Sequence, residues 1–260
     1  MASTIWKGVI RLGEEAVPVK LRSAVSDRSI HFRLLDEPAG APVEQRMVNP
    51  RTGKVVPWEK IRRGFETESG EIVMLDEKEL EKLEPADSRD IEIIRVVPKE
   101  AIDHRWYLRP YWLAPDGDSS DYFALARALE EEGREGVARW TMRKKEYQGA
   151  LHPRDGYLML VTLRHASEVV SAAELEGPSG RELEPREQKM AVQLVEALSG
   201  EFEPEQYEDE YRKRLAELIE AKASGKRIRL KPKRERRRTE SLTSALEQSL
   251  KRARKERSVA

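Results

Sequence analysis

Alternation of apolar and polar residues is the feature that most restricts the fold of this chain. Val17, Val19 and Leu21 alternate with polar or proline positions, which is the period of a half-buried β-strand. The same pattern recurs in three further segments, residues 4–12, 30–35 and 91–97. Because proline lacks an N–H for the strand ladder, Pro18 predicts an edge position for its strand.

Three more strands are predicted later, at residues 136–143, 145–151 and 157–164, the last two joined by a turn at residues 152–156. Ala138, Trp140 and Met142 lie on one face of the first of these strands, and the opposite face carries Arg139 and Arg143. Many strands with short turns and few helices indicate a closed or nearly closed sheet.

Two helices are expected among these strands. A short helix begins at Asp76, whose spacing to Glu79 matches a capping box. The second helix covers residues 120–132, where Tyr122, Leu125, Ala126 and Leu129 form an apolar stripe and Gly133 provides the stop.

Residues 36–70 form a different kind of segment, because eight prolines and glycines are too many for a compact core element. Residues 49–53, Asn-Pro-Arg-Thr-Gly, predict the turn of an extended hairpin. From residue 46 to residue 63 there are six cations against the single acid Glu59, a net charge of +5. Residues 46–63 are therefore predicted to be a basic arm in an otherwise acidic body.

After Pro178 the apolar spacing becomes helical. Ala191, Leu194, Val195 and Leu198 form one stripe that ends at Gly200. Pro204 predicts the start of a longer helix that stops near Gly225 and carries a second stripe, consisting of Tyr207, Tyr211, Leu215, Leu218 and Ile219. These faces need a partner, which is either the strand body of the same chain or a second copy. We favour dimerisation, through Leu194, Leu198, Tyr207, Tyr211, Leu215 and Leu218.

The C-terminal tail explains how a chain with 48 basic and 48 acidic side chains can still attract a polyanion. Residues 226–260 contain 14 cations and four acids, so the tail carries +10 and the rest of the chain −10. A solvated, disordered tail is the alternative interpretation. Its last part, residues 239–257, has a narrow apolar stripe of Leu242, Leu246, Leu250 and Ala253, which is typical of a helical docking peptide.

Several classes of protein are excluded by composition and motifs. The absence of cysteine excludes disulfides, zinc–thiolate sites and thiol catalysis. No apolar run approaches the roughly 18 residues of a membrane span, and the N-terminus lacks a signal-peptide pattern, so we expect a cytoplasmic protein. The four histidines lack ligand spacing, and the Asp116-Gly117-Asp118 sequence lacks the remaining ligands of a calcium loop. We expect no metal, no cofactor and no catalytic residue; Glu100, Asp103 and His104 form the only acid–base cluster, interpreted as a loop or helix start.

Three stretches together resemble the bacterial Ku family, the DNA-end-binding proteins of non-homologous end joining. The first is Ile-Trp-Lys-Gly at residues 5–8 with Val-Pro-Val-Lys-Leu at 17–21. The second runs from Val-Asn-Pro-Arg-Thr-Gly at residues 48–53 through Val-Pro-Trp at 56–58 to Arg-Gly-Phe-Glu at 63–66. The third is Phe-Glu-Pro at residues 202–204 with the segments 207–212 and 217–222. Where the family usually has Lys and Tyr, this chain has Arg63 and Phe65.

The resemblance implies an α+β fold: a Ku-type β-barrel core at residues 1–177 with an inserted, DNA-encircling bridge at 36–70. A helical dimerisation arm at 178–225 and a basic tail at 226–260 would follow. It further implies a homodimeric ring around double-stranded DNA, non-enzymatic and nucleoid-associated, that recruits the ATP-dependent ligase D. On this basis the ligase would bind Leu242, Leu246, Leu250 and Arg254.

The predicted DNA contacts follow from the arm and from the outer sheet face. They are Arg46, Arg51, Lys54, Lys60, Arg62 and Arg63 in the bridge, and Lys7, Lys20, Arg139 and Arg143 in the barrel. We favour the bridge cations before those of the barrel, and a solvated surface charge is the alternative for each single residue. Two other classes remain open: a nucleoid-type or RNA-binding protein that uses only its tail, and a nuclease, which would need an acidic cluster that the sequence does not offer.

Overall fold

The structure is a computed structural model that describes residues 3–175, 177, 180, 182–225, 246, 247 and 249. The chain divides into two compact units, Met1–Glu174 and Leu175–Ala260. The predicted linker at residues 226–238 and the predicted ligase contacts Leu242, Leu250 and Arg254 lie outside the described residues. Leu246 is helical and half-buried, and Glu247 and Ser249 are helical and exposed.

Seven strands of the first unit close into a barrel in the order β1-β2-β6-β9-β8-β7-β5. The nine strands of the unit are β1 (Thr4–Leu12), β2 (Glu15–Ser23), β3 (Arg63–Glu66), β4 (Ile72–Leu75), β5 (Asp90–Pro98), β6 (Tyr107–Pro115), β7 (Arg134–Met142), β8 (Lys145–Arg154) and β9 (Tyr157–Leu163). Neighbouring barrel strands are antiparallel except β1 and β5, which pair in parallel over three residues each. The predicted closed sheet is confirmed.

Alternating side chains of these strands fill the barrel. Ile10, Val19, Leu21, Ile91, Leu113, Leu151, Leu158 and Leu160 are fully buried in one apolar cluster. Trp140 belongs to the same cluster and stacks on Tyr147, with ring centroids 5.5 Å apart. Gly149 permits this packing, since a Cβ there would lie 2.7 Å from the Trp140 ring.

Two helices belong to the first unit: α1 (Glu77–Glu81) and α2 (Ser120–Glu131). The capping box of α1, with Asp76 and Glu79, is confirmed. The predicted apolar stripe of α2 is confirmed as well, because Tyr122, Ala126 and Leu129 are buried in the barrel cluster. The Tyr122 hydroxyl donates to the Leu113 carbonyl and accepts from the Leu158 N–H at 2.8 Å, which ties α2 to β6 and β9.

The insertion between β2 and β5 is mostly irregular and exposed. Its first part, which we predicted as a strand at residues 30–35, is not one: only Leu35 forms an isolated bridge, to Pro42. Phe32 and Leu34 alternate correctly, but no neighbouring strand pairs with them and both are exposed. The predicted hairpin at residues 49–53 is present, with one bridge between Val48 and Val55. Strands β3 and β4, which we did not predict, form a separate two-stranded sheet.

The edge position predicted from Pro18 is wrong, because β2 pairs with β1 on one side and with β6 on the other. Pairing with β6 begins at Val19, opposite Pro115. Pro18 therefore lies at the end of that ladder, where its carbonyl accepts from the Asp116 N–H at 3.0 Å and its missing N–H costs no ladder bond.

Three turns or strands differ from the predicted bounds. Strand β6 was missed, since Pro110 and Pro115 interrupt its sequence pattern. Strand β8 continues to Arg154, so the turn to β9 is only Asp155 and Gly156 rather than residues 152–156. The turn between β7 and β8 is Arg143-Lys144, with φ of 53° and 63°, the left-handed geometry of a tight hairpin.

The second unit contains α3 (Pro185–Leu198) and α4 (Glu210–Ala223). The helix predicted to open at Pro204 does not: Pro204–Gln206 is a single 3₁₀ turn, and α4 begins six residues later. Asp209 explains the later start, because its carboxylate accepts from the Arg212 N–H and caps the helix. Arg186 pairs with Glu247 at 3.3 Å. In the described part of the chain, no helix is long and apolar enough to cross a membrane.

Candidate nucleic-acid interface

The bridge cations are exposed, and the side chains of four of them form no hydrogen bond or ion pair with a described residue. These four are Arg51, Lys54, Lys60 and Arg63. The hairpin turn presents the first two, because the Asn49 side chain accepts from the Arg51 N–H at 2.9 Å and Gly53 takes a φ of 67°. A positive φ of this kind suits glycine, which explains the sequence of the turn.

The two remaining bridge cations have weak or non-ionic partners. Arg62 donates through Nη1 to the carbonyls of Glu59, at 2.7 Å, and Ile61, at 3.0 Å. These bonds fix the guanidinium without neutralising its charge. Arg46 lies 3.5 Å from Glu44, and both side chains are more than 65% exposed, so water screens this pair.

Arg62 and Arg63 line an open groove of about 640 Å³, together with Trp58, Ile61, Leu75 and Leu80. Trp58 is 76% exposed, an unusual position for an indole in the absence of a partner. The groove also carries Glu59, Asp76, Glu77 and Glu81, so its charges are mixed. The unpaired cations of the hairpin and the arginines of the groove lie on separate elements of the bridge.

Three of the four predicted barrel cations are paired with carboxylates. Lys7 and Lys20, which are paired across β1 and β2, both contact Asp116, at 2.9 and 2.6 Å. Hydrogen bonds from Lys20 and then Lys7 hold the pKa of the Asp116 carboxyl below its ordinary value. Arg139 contacts Glu92 at 2.8 Å, and this hydrogen bond raises the pKa of the Arg139 guanidinium. Arg143 is exposed in its turn and has no carboxylate partner among the described residues.

The acid–base cluster around His104 is structural. Asp103 accepts from the N–H of Arg105 at 3.0 Å and from its Nε at 2.6 Å, and so caps a 3₁₀ turn. The predicted calcium-like sequence is a turn as well, in which Asp118 accepts from the Ser120 N–H at 3.0 Å. In the described residues, no three histidine or carboxylate side chains are close enough to hold a metal ion.

A buried polar cluster at the barrel was not anticipated. Glu135 is fully buried; its carboxylate accepts from the Tyr107 hydroxyl at 3.1 Å and lies 3.2 Å from His152 Nδ1. Burial, and next the charge of Glu135, raises the pKa of Tyr107 to about 12. Since the carboxylate is satisfied by two neighbours on other strands, the cluster links barrel strands and shows no open position for a substrate.

The predicted dimerisation residues are divided between exposed and half-buried positions in the second unit. Leu198, Tyr207 and Tyr211 are exposed, whereas Leu194, Leu215 and Leu218 are half-buried. Tyr207 stacks on Phe202 with ring centroids 5.4 Å apart. Exposed apolar side chains on α3 and α4 leave a surface that a partner could cover, and the dimer itself stays a prediction.

Sequence reasoning missed two features of this interface. Asp116 forms salt bridges with both Lys7 and Lys20, but no sequence signal connects residues that are so far apart along the chain. The exposed position of Trp58 was missed too, although the surrounding prolines and glycines are a signal that no core could cover it.

Comparisons with known proteins agree with the barrel fold. The sequence model of the "Ku70/Ku80 beta-barrel domain" matches residues 11–192. "Non-homologous end joining protein Ku 2" of Geotalea uraniireducens is 40% identical over 250 residues, covering 95% of this chain and 97% of the relative. The Ku proteins of Koribacter versatilis and Pseudomonas aeruginosa are 36% and 35% identical, and each comparison covers at least 86% of this chain and 78% of the relative. With a closed barrel, an insertion that contains the basic segment 46–63, and relatives that match over most of its length, this chain belongs to the Ku family.

Proposed function

We propose that this chain binds the ends of double-stranded DNA without sequence preference, as a ring-shaped homodimer, during repair by non-homologous end joining. Its relatives are named for that pathway. The proposal assigns affinity to phosphate contacts, because these contacts carry no sequence information.

The observation that carries the proposal is the state of the bridge cations. Exposed arginine and lysine side chains without carboxylate partners keep their full charge for phosphate, whereas cations already paired must exchange one partner for another. In the bridge, every predicted cation except Arg46 is in the first state. On the barrel, Lys7, Lys20 and Arg139 are in the second. The bridge therefore provides the main DNA contacts.

A ring-shaped dimer would add a requirement for a free DNA end, which charge attraction alone does not impose. Phosphate contacts bind any duplex, but a closed ring admits only DNA that has a free end. The bridge is suited to surround a duplex, since it is an extended, largely exposed insertion with little apolar packing of its own. The acidic remainder of the chain, −15 without the bridge segment 46–63 and the tail, disfavours DNA elsewhere on the surface.

The remaining roles are assigned by position. The exposed apolar residues of the arm, Leu198, Tyr207 and Tyr211, would contribute to the contact between two copies. The basic tail would make secondary contacts with DNA, and its terminal helix would recruit the ATP-dependent ligase D. The protein itself would act without catalysis.

One competition experiment tests the function. The full chain and a variant lacking residues 226–260 are mixed with a labelled linear duplex and challenged with unlabelled linear or covalently closed circular DNA of the same sequence. We expect both proteins to bind, linear competitor to displace the label efficiently, and closed circles to compete at least tenfold less well.

Two other results would identify a different protein class. If deletion of the tail abolishes binding and circles compete as well as linear DNA, the chain is a nucleoid-type or RNA-binding protein that acts through its tail. If the DNA is cut in the presence of a divalent metal ion, the chain is a nuclease, and the proposed function is wrong.

A further inference from the structure

Asp116 lies between Lys7 and Lys20, two barrel lysines that we predicted from the sequence as DNA contacts. Its Oδ2 lies 2.9 Å from Lys7 Nζ, and its Oδ1 lies 2.6 Å from Lys20 Nζ. The carboxylate thus offers one oxygen to each ammonium group. A phosphodiester offers its two non-bridging oxygens to a pair of cations in the same way.

The fold explains why the three side chains meet. Lys7 and Lys20 are directly opposite each other on β1 and β2, where two like charges repel. Asp116 follows β6 immediately, and its N–H donates to the Pro18 carbonyl at 3.0 Å, which holds the residue beside β2. The carboxylate relieves the repulsion and leaves a net charge of +1 on the three groups.

Partial exposure leaves this cluster open to exchange. The side chain of Lys7 is 55% exposed, that of Lys20 30%, and that of Asp116 27%. A phosphate arriving from solvent can therefore reach the lysines, but it must compete with a carboxylate that is already in contact with both.

We infer that Asp116 is an internal competitor of DNA phosphate, which occupies Lys7 and Lys20 in the free protein and limits how much the barrel adds to DNA affinity. The inference rests on the proposed function. It makes Asp116 a residue that tunes affinity: the bridge dominates binding, and the barrel lysines contribute only where phosphate displaces the carboxylate. The lowered pKa of Asp116 agrees with a carboxylate that stays ionised at neutral pH.

The test is the substitution Asp116→Asn in the full chain, measured by binding to a short linear duplex over a range of salt concentrations. Without the carboxylate, both lysines are available to phosphate. We expect affinity at low salt to rise on the order of fivefold, and the slope of log K against log[salt] to steepen by about 0.9, the release of one more counterion.

Two controls separate this effect from a general change in charge. Asp118→Asn removes the same charge two residues away; Asp118 contacts the Ser120 N–H, and the amide that replaces its carboxyl retains an oxygen acceptor there. We expect it to bind DNA as the wild type does. The variant Lys7→Gln/Lys20→Gln should lose less than twofold in affinity in the wild-type background, but should remove the entire gain of Asp116→Asn. Thermal unfolding of each variant checks the fold.

The binding results for the two single variants support or overturn the inference. If Asp116→Asn binds DNA as the wild type does or more weakly, or if Asp118→Asn gives the same gain, Asp116 does not compete with phosphate and the inference is overturned. Failure of the proposed function would give a different result: neither the wild type nor the Asp116→Asn variant would prefer linear over closed circular DNA. A gain that depends on both lysines supports the inference in either case.

Discussion

Tyr122 shows how one side chain can join an element to the barrel. Its ring is fully buried in the apolar cluster, and its hydroxyl is both donor and acceptor for the backbones of β6 and β9. Burial raises the pKa of this phenol to about 12, so it keeps its donor proton at every physiological pH. The residue therefore contributes apolar packing and also supplies the hydrogen-bond partner of two buried backbone groups.

Substitution Tyr122→Phe is expected to destabilise the first unit without changing its surface. The Leu113 carbonyl and the Leu158 N–H lose their partner, and each buried unpaired group costs about 1–3 kcal/mol. We expect a loss of about 3 kcal/mol in the free energy of unfolding, and a Tm lower by roughly 6–12 °C in thermal unfolding followed by circular dichroism.

The matched control is Tyr157→Phe. It removes the same hydroxyl from a ring that is 48% exposed and that makes no hydrogen bond through its hydroxyl to any described residue. We expect its Tm to change by less than about 2 °C. Equal effects of the two substitutions would mean that the hydroxyl bonds of Tyr122 contribute nothing.

At the scale of single residues, the sequence predicts which side chains enter the core but not which charges meet. Ala138, Trp140 and Met142 were correctly assigned to one face of their strand, because strand periodicity is a local property, and the structure shows that this face is buried. The partners of Lys7, Lys20 and Arg139 come from distant segments that only the closed barrel brings together. The sequence therefore could not show which of the ten predicted cations are paired, whereas the structure separates paired from unpaired ones.

At the scale of elements, the proposed function assigns the main DNA contacts to the bridge, and substitutions in the bridge test this assignment. We expect Arg62→Glu/Arg63→Glu to weaken binding to linear duplex at least tenfold, because two attractive charges become repulsive. The slope of log K against log[salt] should become shallower by roughly 2, as two phosphate contacts are lost. Gel-shift titrations at several salt concentrations measure both quantities, and light scattering should show an unchanged oligomeric state.

A conservative variant provides the comparison. Arg62→Lys/Arg63→Lys keeps both charges but removes the guanidinium groups, so the salt slope should be retained and affinity should fall less than threefold. If the glutamate variant keeps wild-type affinity and slope, the bridge is not the main DNA-binding element.

Elements with strong local signals were predicted and those without them were not. Strands β1, β2, β5, β7, β8 and β9 and helices α1 and α2 were recognised, some with shifted ends. Strand β6 was hidden by Pro110 and Pro115, and it completes the barrel through its neighbours β2 and β9. The segment at residues 30–35 has strand periodicity but no strand beside it, so its pattern alone could not decide the outcome.

At the scale of the whole molecule, the uneven charge and the proposed ring together determine how DNA would be held. The bridge segment and the tail concentrate +15 against −15 on the remainder, so a duplex is attracted to defined parts of the surface. Salt weakens this attraction but cannot open a closed ring. A complex on linear DNA and one on circular DNA should therefore differ in how they dissociate, even though their local contacts are the same.

This difference predicts topological trapping. The protein is first bound to a linear duplex, the ends are then joined by a ligase, and the complexes are challenged with about 1 M salt, where the Debye length falls to about 3 Å and phosphate contacts are screened. We expect the protein to remain on the circles and to be released after a restriction enzyme reopens them. Protein added to circles that were closed beforehand should be lost at once, and so should protein on linear DNA. Release from the ligated circles at the rate seen with linear DNA would mean that the chain binds duplex DNA from one side rather than encircling it.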